Sequence, residues 1–254
     1  MTSEIRILSV NAFDFDGGLL PWQNAADSFS QSVKASKPDL VAVQGAPNEL
    51  FSYLSDCLSD DYSCLREQDS QGNNAVLYKK ERFNLLEQGS FFLSDTPSKR
   101  SRFGGAEQDR ICAWAAFEEK GSKIRFFNMN TAPERSLSVL LKCIPLLLSA
   151  GAKYDVPTVM TGNFVCSKGS YAYKALTSAV FKDACETCSA GSQSIADKAM
   201  SYIKGLTAAN GNEYIFVNHL AEPVKCGKSG EILLGESEGL FDGVYADINL
   251  LCRK

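Results

Sequence analysis

A buried strand that ends in a tight turn is the feature that most constrains this chain. Residues Val156 to Cys166 read VPTVMTGNFVC, an apolar run with β-branched residues that is interrupted at Gly162. Such a run predicts a strand in the middle of a sheet, followed by a turn. Active sites of open α/β sheets lie at strand ends of this kind. The turn Gly162-Asn163-Phe164-Val165 nevertheless contains no carboxylate, so the pattern indicates an enzyme's architecture without an enzyme's acid–base group.

Strand and helix patterns are mixed along the chain, with no internal repeat or linker. They predict one domain over residues 1–254 and an α/β layer structure. The predicted strands are Glu4–Val10, Leu40–Gln44, Ala75–Tyr78, Leu85–Leu93, Ile111–Phe117, Ile124–Met129, the run from Val156, Glu213–Val217 and Val244–Leu250. The predicted helices are Gln23–Ala35, Pro47–Leu58, Glu134–Ala150, in which Pro145 is expected to cause a kink or split off the last turn, and Tyr171–Phe181. The polar segment Thr96–Asp109 is predicted to be a loop that borders a site, while Asp183–Gly211 receives no assignment.

Composition indicates an ordinary globular protein. Of its 254 residues, 44% are hydrophobic and 22% are charged, and the formal net charge is −4. This charge gives no overall attraction to nucleic acid or to anionic membranes, and the basic stretch Lys99-Arg100-Ser101-Arg102 is interpreted as a solvated loop. No signal peptide is evident, and no apolar run approaches the ~18 residues that span a membrane. We therefore expect a soluble protein of the cytoplasm or another intracellular compartment.

Nine cysteines are spaced irregularly along the chain. Because no secretory signal is evident, most of them are expected to be free thiols. Cys112, Cys143 and Cys166 lie in apolar segments and are predicted to be core residues. Cys185 and Cys188 form a CxxC motif whose use for zinc or redox chemistry is the less favoured interpretation, because zinc needs two further ligands. The one histidine, His219, is interpreted as a surface or turn residue.

Several sequence segments resemble the endonuclease/exonuclease/phosphatase superfamily, the proteins with the deoxyribonuclease I-like fold. The segments, in chain order, are ILSVNAF, PDLVAVQG, NNAVLYKKERFNLLEQGSFFLSDTP, RICAWA, FFNMNT, TGNF, YKALTSAVFKDA, EYIFV and VYADINL. They cover the chain nearly end to end. The resemblance implies a four-layer α/β/β/α sandwich, in which two facing mixed sheets are covered by helices on the outside.

The resemblance also implies a chemistry. Members of this superfamily cleave phosphoric esters with an in-line water and Mg²⁺, which neutralises charge on the phosphoryl oxygens. Magnesium requires carboxylate and carbonyl oxygens. An aspartate positions or deprotonates the water, and histidines contact the phosphate and orient that aspartate.

Most residues that the resemblance assigns to this chemistry have been replaced. The metal-binding asparagine is retained as Asn11, and Glu213 keeps a carboxylate in place of an aspartate. The glutamate, the histidine of the Asn-Thr-His strand, the turn aspartate, the turn asparagine and the final aspartate and histidine correspond to Gly45, Asn130, Asn163, Val165, Leu240 and Phe241. Because removal of one member of such a set costs ~10⁴ in rate, the resemblance implies a protein that has lost catalysis.

Three functions follow as hypotheses. The first is a catalytically inactive homologue, with no cofactor, that acts by binding an unknown protein partner, by scaffolding or as a structural protein. The second is a magnesium-dependent phosphodiesterase or phosphatase with a rearranged site, in which Asn11, Glu213 and Asp242 hold the ion and Asp14, Asp16 and Glu49 lie nearby. The third is a metal-free module that binds phosphate or a nucleotide through Asn11 and Arg110.

Overall fold

The computed structural model describes residues 2–12, 22–66, 74–106, 109–130, 137–164, 166–178, 180–189, 212–233 and 241–251, with the backbone alone for residues 2, 130, 189, 212, 241 and 242. The strands are β1 (Thr2–Ala12), β2 (Leu40–Gln44), β3 (Tyr62–Arg66), β4 (Ala75–Lys79), β5 (Asn84–Phe92), β6 (Ile111–Glu119), β7 (Ser122–Asn130), β8 (Thr158–Phe164), β9 (Lys182–Asp183), β10 (Asn212–Val217), β11 (Ala221–Lys228) and β12 (Phe241–Leu251). The helices are α1 (Trp22–Ser36), α2 (Asn48–Cys57), α3 (Leu137–Ala152), α4 (Tyr171–Thr177) and α5 (Ala184–Ser189), with one 3₁₀ turn at Ser229–Glu231. None of these helices is long and apolar enough to cross a membrane.

The strands form two mixed sheets. In the described residues, sheet 1 has the order β11-β12-β1-β2-β4-β3 and sheet 2 the order β5-β6-β7-β8-β10-β9. The central pairs β1–β2 and β7–β8 are parallel, and the other pairs are antiparallel. Parallel neighbours end at the same edge of a sheet. The carboxyl ends of β1 and β2 therefore lie side by side, as do those of β7 and β8.

Three apolar cores explain the layering. One lies between the sheets and includes Ile7, Phe117, Phe126 and Ile248. A second joins the outer face of sheet 1 to α1 and α2, through residues such as Phe29. The third joins the outer face of sheet 2 to α3 and α4. Because each sheet buries both faces, its central strands are continuously apolar, as in β2, where all five residues are buried. The predicted α/β/β/α sandwich is confirmed.

The predicted strands and helices are largely confirmed, with three corrections. The helix predicted from Glu134 is described from Leu137 and continues as one helix to Ala152, so Pro145 does not split off its last turn. Packing of Leu140, Ile144 and Leu147 against sheet 2 outweighs the hydrogen bond that Pro145 cannot donate. The helix predicted to reach Phe181 ends at Thr177. Strands β3, β9 and β11 were not predicted.

The cysteine and histidine predictions have mixed outcomes. Cys112, Cys143 and Cys166 are buried as expected, and His219 lies exposed in the turn after β10. Cys185, however, forms a disulfide with Cys226, at a Cα–Cα distance of 5.1 Å. Cys185 is therefore bonded outside its CxxC motif. Six other described cysteines, Cys188 among them, are free thiols, as expected for most of the nine.

Two carboxylates share one tyrosine beside this disulfide. The Tyr173 hydroxyl lies 2.8 Å from Asp183 Oδ2 and 2.7 Å from Glu186 Oε2. Asp183 Oδ1 accepts from the backbone N–H of Cys185 and of Glu186, so it also holds the first turn of α5. Burial raises the pKa of Asp183 above its ordinary value, against the opposing effect of these hydrogen bonds.

We expect Asp183→Asn to remove a pH-dependent part of the stability. Because the pKa of Asp183 is raised by folding, its contribution is fully present below the unfolded pKa of about 4 and is lost as pH rises through the folded value. The amide of Asn keeps the acceptor for α5 and can donate to Tyr173, which donates on to Glu186. Between acid and neutral pH, the melting temperature of the unmodified chain should therefore fall more steeply than that of Asp183→Asn. Equal slopes for the two proteins would contradict this prediction.

Candidate functional site

The central strands of both sheets end at one edge of the sandwich. In sheet 1, Asn11 near the end of β1 lies opposite Gln44 of β2 and Asp242 of β12. In sheet 2, Asn163 near the end of β8 lies opposite Asn130 of β7 and Glu213 of β10. The sheets face each other, with β1 packed against β8 and β10. The register therefore places these polar positions of the two sheets around one region.

Gly45 and Asn11 touch at the end of sheet 1. Gly45 follows β2 directly and has φ +70°, a left-handed conformation that favours glycine. A Cβ atom at this position would lie 3.1 Å from Asn11 Oδ1 and 3.0 Å from the carbonyl oxygen of Ala12. Asn11 itself is 3% exposed. The position that the resemblance assigns to a metal-binding glutamate is therefore shaped for a residue without a side chain.

Asn163 is completely buried at the end of β8. Its exposed fraction is 0%, and the residue before it, Gly162, has φ +153°. A Cβ atom at Gly162 would lie 2.2 Å from the carbonyl oxygen of Met129 in β7, so the close approach of β7 and β8 requires glycine here. Strand geometry thus holds an amide, rather than the carboxylate of the family pattern, in the position of the turn aspartate.

A hydrogen-bond network joins the two sheets next to these residues. Ser9 Oγ donates to Glu213 Oε2 at 3.2 Å, and Gln44 Nε2 donates to Ser9 Oγ at 3.1 Å and to Asn128 Oδ1 at 2.7 Å. Thr161 Oγ1 donates to the carbonyl oxygen of Phe127 at 3.0 Å. Ser9, Gln44, Asn128 and Thr161 are all fully buried. Buried polar groups are stable only when they are hydrogen-bonded, so this network fixes how the sheets face each other.

The orientation of the Gln44 amide follows from Asn128. If the amide were turned over, its nitrogen would donate to the carbonyl oxygen of Val10 and lie 3.1 Å from Glu213 Oε2, but its oxygen would face Asn128 Oδ1. Asn128 cannot turn in compensation, because its Nδ2 donates to the carbonyl oxygens of Ala75 at 3.0 Å and Val43 at 3.4 Å. The bonds of Asn128 therefore favour the orientation in which Gln44 donates to it.

Asn74 and Arg110 lie directly before β4 and β6, at the other side of the site. Asn74 Nδ2 donates to the carbonyl oxygen of Ile111 at 3.1 Å, which connects β4 of sheet 1 to β6 of sheet 2. Arg110 is 3% exposed, and its carbonyl oxygen accepts from the N–H of Leu93. The loop between β5 and β6, predicted as a border of the site, thus begins and ends beside it. Arg100 in this loop pairs with Asp109 at 2.7 Å and is exposed, as predicted for the basic stretch.

The structure places the residues that the sequence predicted for the site as follows. Asn11 with Asp242, and Asn130 and Glu213 with Asn163, are brought together as strand neighbours. Glu49 lies exposed on α2. Phe241 lies opposite Ala12 by its backbone. The remaining predicted positions, Val165, Leu240, Asp14 and Asp16, lie outside the described residues.

Four residues of the site were missed in the sequence: Ser9, Gln44, Asn128 and Thr161. The signal that identifies them is a polar side chain inside an apolar strand. Gln44 ends LVAVQ, and Asn128 interrupts IRFFNM. Such a residue in a strand that is buried on both faces must find a partner, but the partner becomes known only when the facing strands are known.

The described side chains do not fit a magnesium ion. Among the described side chains at the converging strand ends, Glu213 is the only carboxylate, and its Oε2 accepts from Ser9. No group of three histidine, cysteine, aspartate or glutamate residues with the spacing of a metal site occurs in the described residues. Amide oxygens dominate instead, and they lack the negative charge that this small, strongly hydrated ion requires. Asp242, the further carboxylate of the rearranged-site hypothesis, is described only by its backbone.

Comparison with known proteins identifies the fold. A structure of an endonuclease/exonuclease/phosphatase from Bacteroides vulgatus matches with a TM-score of 0.79 and 21% identity over 98% of this chain and 99% of that one. A mannosyl-6-phosphatase from Bacteroides thetaiotaomicron matches with a TM-score of 0.71 and 18% identity over 96% and 98%. A D. rerio TDP2 bound to a single-stranded DNA product matches with a TM-score of 0.72 and 16% identity over 97% and 99%. No protein-family model and no curated protein matches the sequence. The chain has the deoxyribonuclease I-like fold of these proteins.

Proposed function

We propose that this chain is a catalytically inactive protein with a phosphoesterase fold, which acts by binding. The proposal depends on the residues at two positions, Gly45 after β2 and Asn163 near the end of β8. Gly45 has no side chain and a backbone conformation that disfavours one, and Asn163 is an amide buried at 0% exposure. A metal-dependent phosphoesterase needs carboxylates for the ion and for the attacking water.

The surrounding structure disfavours a return to the residues of the family pattern. A glutamate at position 45 would carry the strain of φ +70° and a Cβ contact of 3.1 Å with Asn11, which together cost about 1–3 kcal/mol. Ser9, Gln44 and Asn128, which connect the two sheets here, are neutral, and Glu213 is the one described carboxylate bonded to them. A buried network made mainly of neutral groups is better suited to holding the sheets together than to changing charge during a reaction.

The direct test is an assay with nitrophenyl phosphate and bis-nitrophenyl phosphate in the presence of Mg²⁺ or Mn²⁺. We expect no turnover above the rate without protein. A contaminating hydrolase would give the same rate in preparations of the unmodified chain and of Asn11→Ala. Turnover that Asn11→Ala abolishes would falsify the proposal, since Asn11 is the one residue retained from the family's metal site.

Asn163→Asp, which restores the family's residue, is expected to restore no hydrolysis. The aspartate would lie between Asn130 and Glu213 in the register, with Gly45 still lacking the glutamate. Burial of the new carboxylate should instead lower the free energy of unfolding by about 2 kcal/mol or more. Chemical denaturation measures this loss. The matched control is Asn24→Asp, the same change at an exposed position of α1, where we expect a change within about 0.5 kcal/mol.

The two alternative functions are separated from this proposal by binding measurements. Isothermal titration with Mg²⁺ tests the rearranged site of Asn11, Glu213 and Asp242, and heat of binding that is lost in Asp242→Asn would support that alternative. Thermal unfolding with inorganic phosphate or AMP tests the anion module. Stabilisation that disappears in Arg110→Met would support it. If the chain is an inactive binding protein, we expect no heat of Mg²⁺ binding and no change of the melting temperature with phosphate or AMP.

A further inference from the structure

The disulfide between Cys185 and Cys226 connects the two sheets at one edge of the sandwich. Cys226 lies on β11, the edge strand of sheet 1, and Cys185 lies in α5, which follows β9 at the edge of sheet 2. Helix α5 packs along β11. The bond closes a loop with a sequence separation of 41 residues. It is therefore a covalent connection between layers that non-covalent contacts also hold together.

Cys188 places a free thiol one helical turn from this bond. It lies three residues after Cys185 in α5 and is half-buried. Side chains three residues apart on a helix are neighbours, with Cβ atoms about 5–6 Å apart. The spacing therefore brings the Cys188 thiol near Cys185, the sulfur already bonded to Cys226. Three cysteines from two elements thus form one cluster.

We propose that Cys185, Cys188 and Cys226 form a thiol–disulfide exchange site. The Cys188 thiolate attacks Cys185 Sγ, the bond between Cys185 and Cys226 breaks, and a bond between Cys185 and Cys188 forms. Cys226 leaves as a thiolate and takes up the proton that Cys188 gave up. The number of disulfides is unchanged, so the step needs no oxidant or reductant. The chain alternates between a form in which the sheets are linked and a form in which the link lies within α5.

The surroundings of Cys188 make the exchange pH-dependent. Burial raises the pKa of the Cys188 thiol, and the negative charges of Asp183 on β9 and Asp247 on β12 raise it further. Arg6 on β1 pairs with Asp247 at 2.7 Å, which offsets part of that charge, and Glu186 on the same helix is a further acid. Because the thiolate is the nucleophile, the rate should increase about tenfold per pH unit below the Cys188 pKa.

The test maps the disulfides of the whole folded chain after incubation at about pH 6 and about pH 9. The samples are quenched with acid, unfolded, alkylated with N-ethylmaleimide and digested without reduction for mass spectrometry. We expect the peptide linking Cys185 to Cys226 in both samples. At the higher pH, a second peptide with Cys185 bonded to Cys188 should appear, together with alkylated Cys226. If Cys226 stays unlabelled while Cys188 is fully labelled at both pH values, the proposal is wrong.

Three variants make the result specific. Cys188→Ser should give only the Cys185–Cys226 bond at every pH. Cys64→Ser removes another half-buried thiol, on β3, and should leave the exchange unchanged. Cys226→Ser, treated with oxidised glutathione, should form the Cys185–Cys188 bond directly. Failure of this last variant to form the bond while it remains folded would show that α5 cannot accommodate it, and the proposal would be overturned.

Discussion

Gly243→Ala is expected to lower the free energy of unfolding by about 3 kcal/mol. Gly243 of β12 lies opposite Val10 of β1. A Cβ atom there would lie 1.9 Å from the carbonyl oxygen of Ser9 and 2.8 Å from the Cα atom of Val10. Both are backbone atoms, so no change of side-chain rotamer can relieve the contact. The strands must separate at this point, one residue from the pair formed by Asn11 and Asp242.

Urea denaturation measures this loss, with Gly104→Ala as the control. Gly104 lies exposed in the loop between β5 and β6, and a Cβ atom there would meet nothing within 4 Å. Its replacement should change the free energy of unfolding by no more than about 0.5 kcal/mol. A loss at Gly243 as small as at Gly104 would show that β1 and β12 do not approach as closely as described. Ser9 takes part in the network to Glu213, so the same substitution should also disturb the candidate site.

Apolar patterning was sufficient to predict the central strands. Strands such as β2 and β8 are buried on both faces, and their runs of apolar residues are visible in the sequence. The edge strands were harder. β11 contains Pro223 and Gly227, which argue against a strand, and its register shifts between Pro223 and Lys225. Proline is tolerated at an edge, because its missing N–H faces away from the sheet.

The sequence indicated which positions belong to the candidate site, but not which side chains of the two sheets contact each other there. The family resemblance located Asn11, Gly45, Asn163 and Glu213, and the strand register brings these positions to one edge of the sandwich. Periodicity cannot show which strand of one sheet faces which strand of the other. The bond from Gln44 to Asn128, separated by 84 residues, therefore has no local signal in the sequence.

The pairing of the cysteines could not be predicted either, because the sequence does not show which elements lie next to each other. A disulfide needs Cα atoms about 4.4–6.8 Å apart, and Cys185 and Cys226 meet this condition only because α5 packs on β11. No strand was predicted at β11, so Cys226 had no predicted neighbour. The CxxC spacing drew attention to Cys188 instead, which is the residue that the exchange site would use.

Arg82→Met is expected to destabilise the chain by about 3 kcal/mol, because Arg82 connects the two sheets at the end opposite the candidate site. Its Nη1 lies 2.7 Å from Asp39 Oδ2 in the turn before β2, and its Nε lies 3.2 Å from Glu119 Oε1 at the end of β6. The side chain of Glu119 is 0% exposed. Without the guanidinium, Glu119 retains the Ser3 hydroxyl at 2.8 Å and the Lys120 ammonium at 3.7 Å.

A double-mutant cycle separates two contributions to the loss of stability: the buried charge of Glu119 without its arginine partner, and the lost packing of the Arg82 side chain. Glu119→Gln should be far less destabilising in the Arg82→Met background than in the unmodified chain, because it removes the buried carboxylate that has lost the Arg82 guanidinium. The control is Arg100→Met, which breaks a carboxylate pair of the same 2.7 Å length, between Arg100 and Asp109, at a side chain that is 62% exposed. There, solvent screening should limit the loss to about 1 kcal/mol or less. Equal losses for Arg82→Met and Arg100→Met would mean that the sheets do not depend on the Arg82 connection, and that the packing between them is sufficient alone.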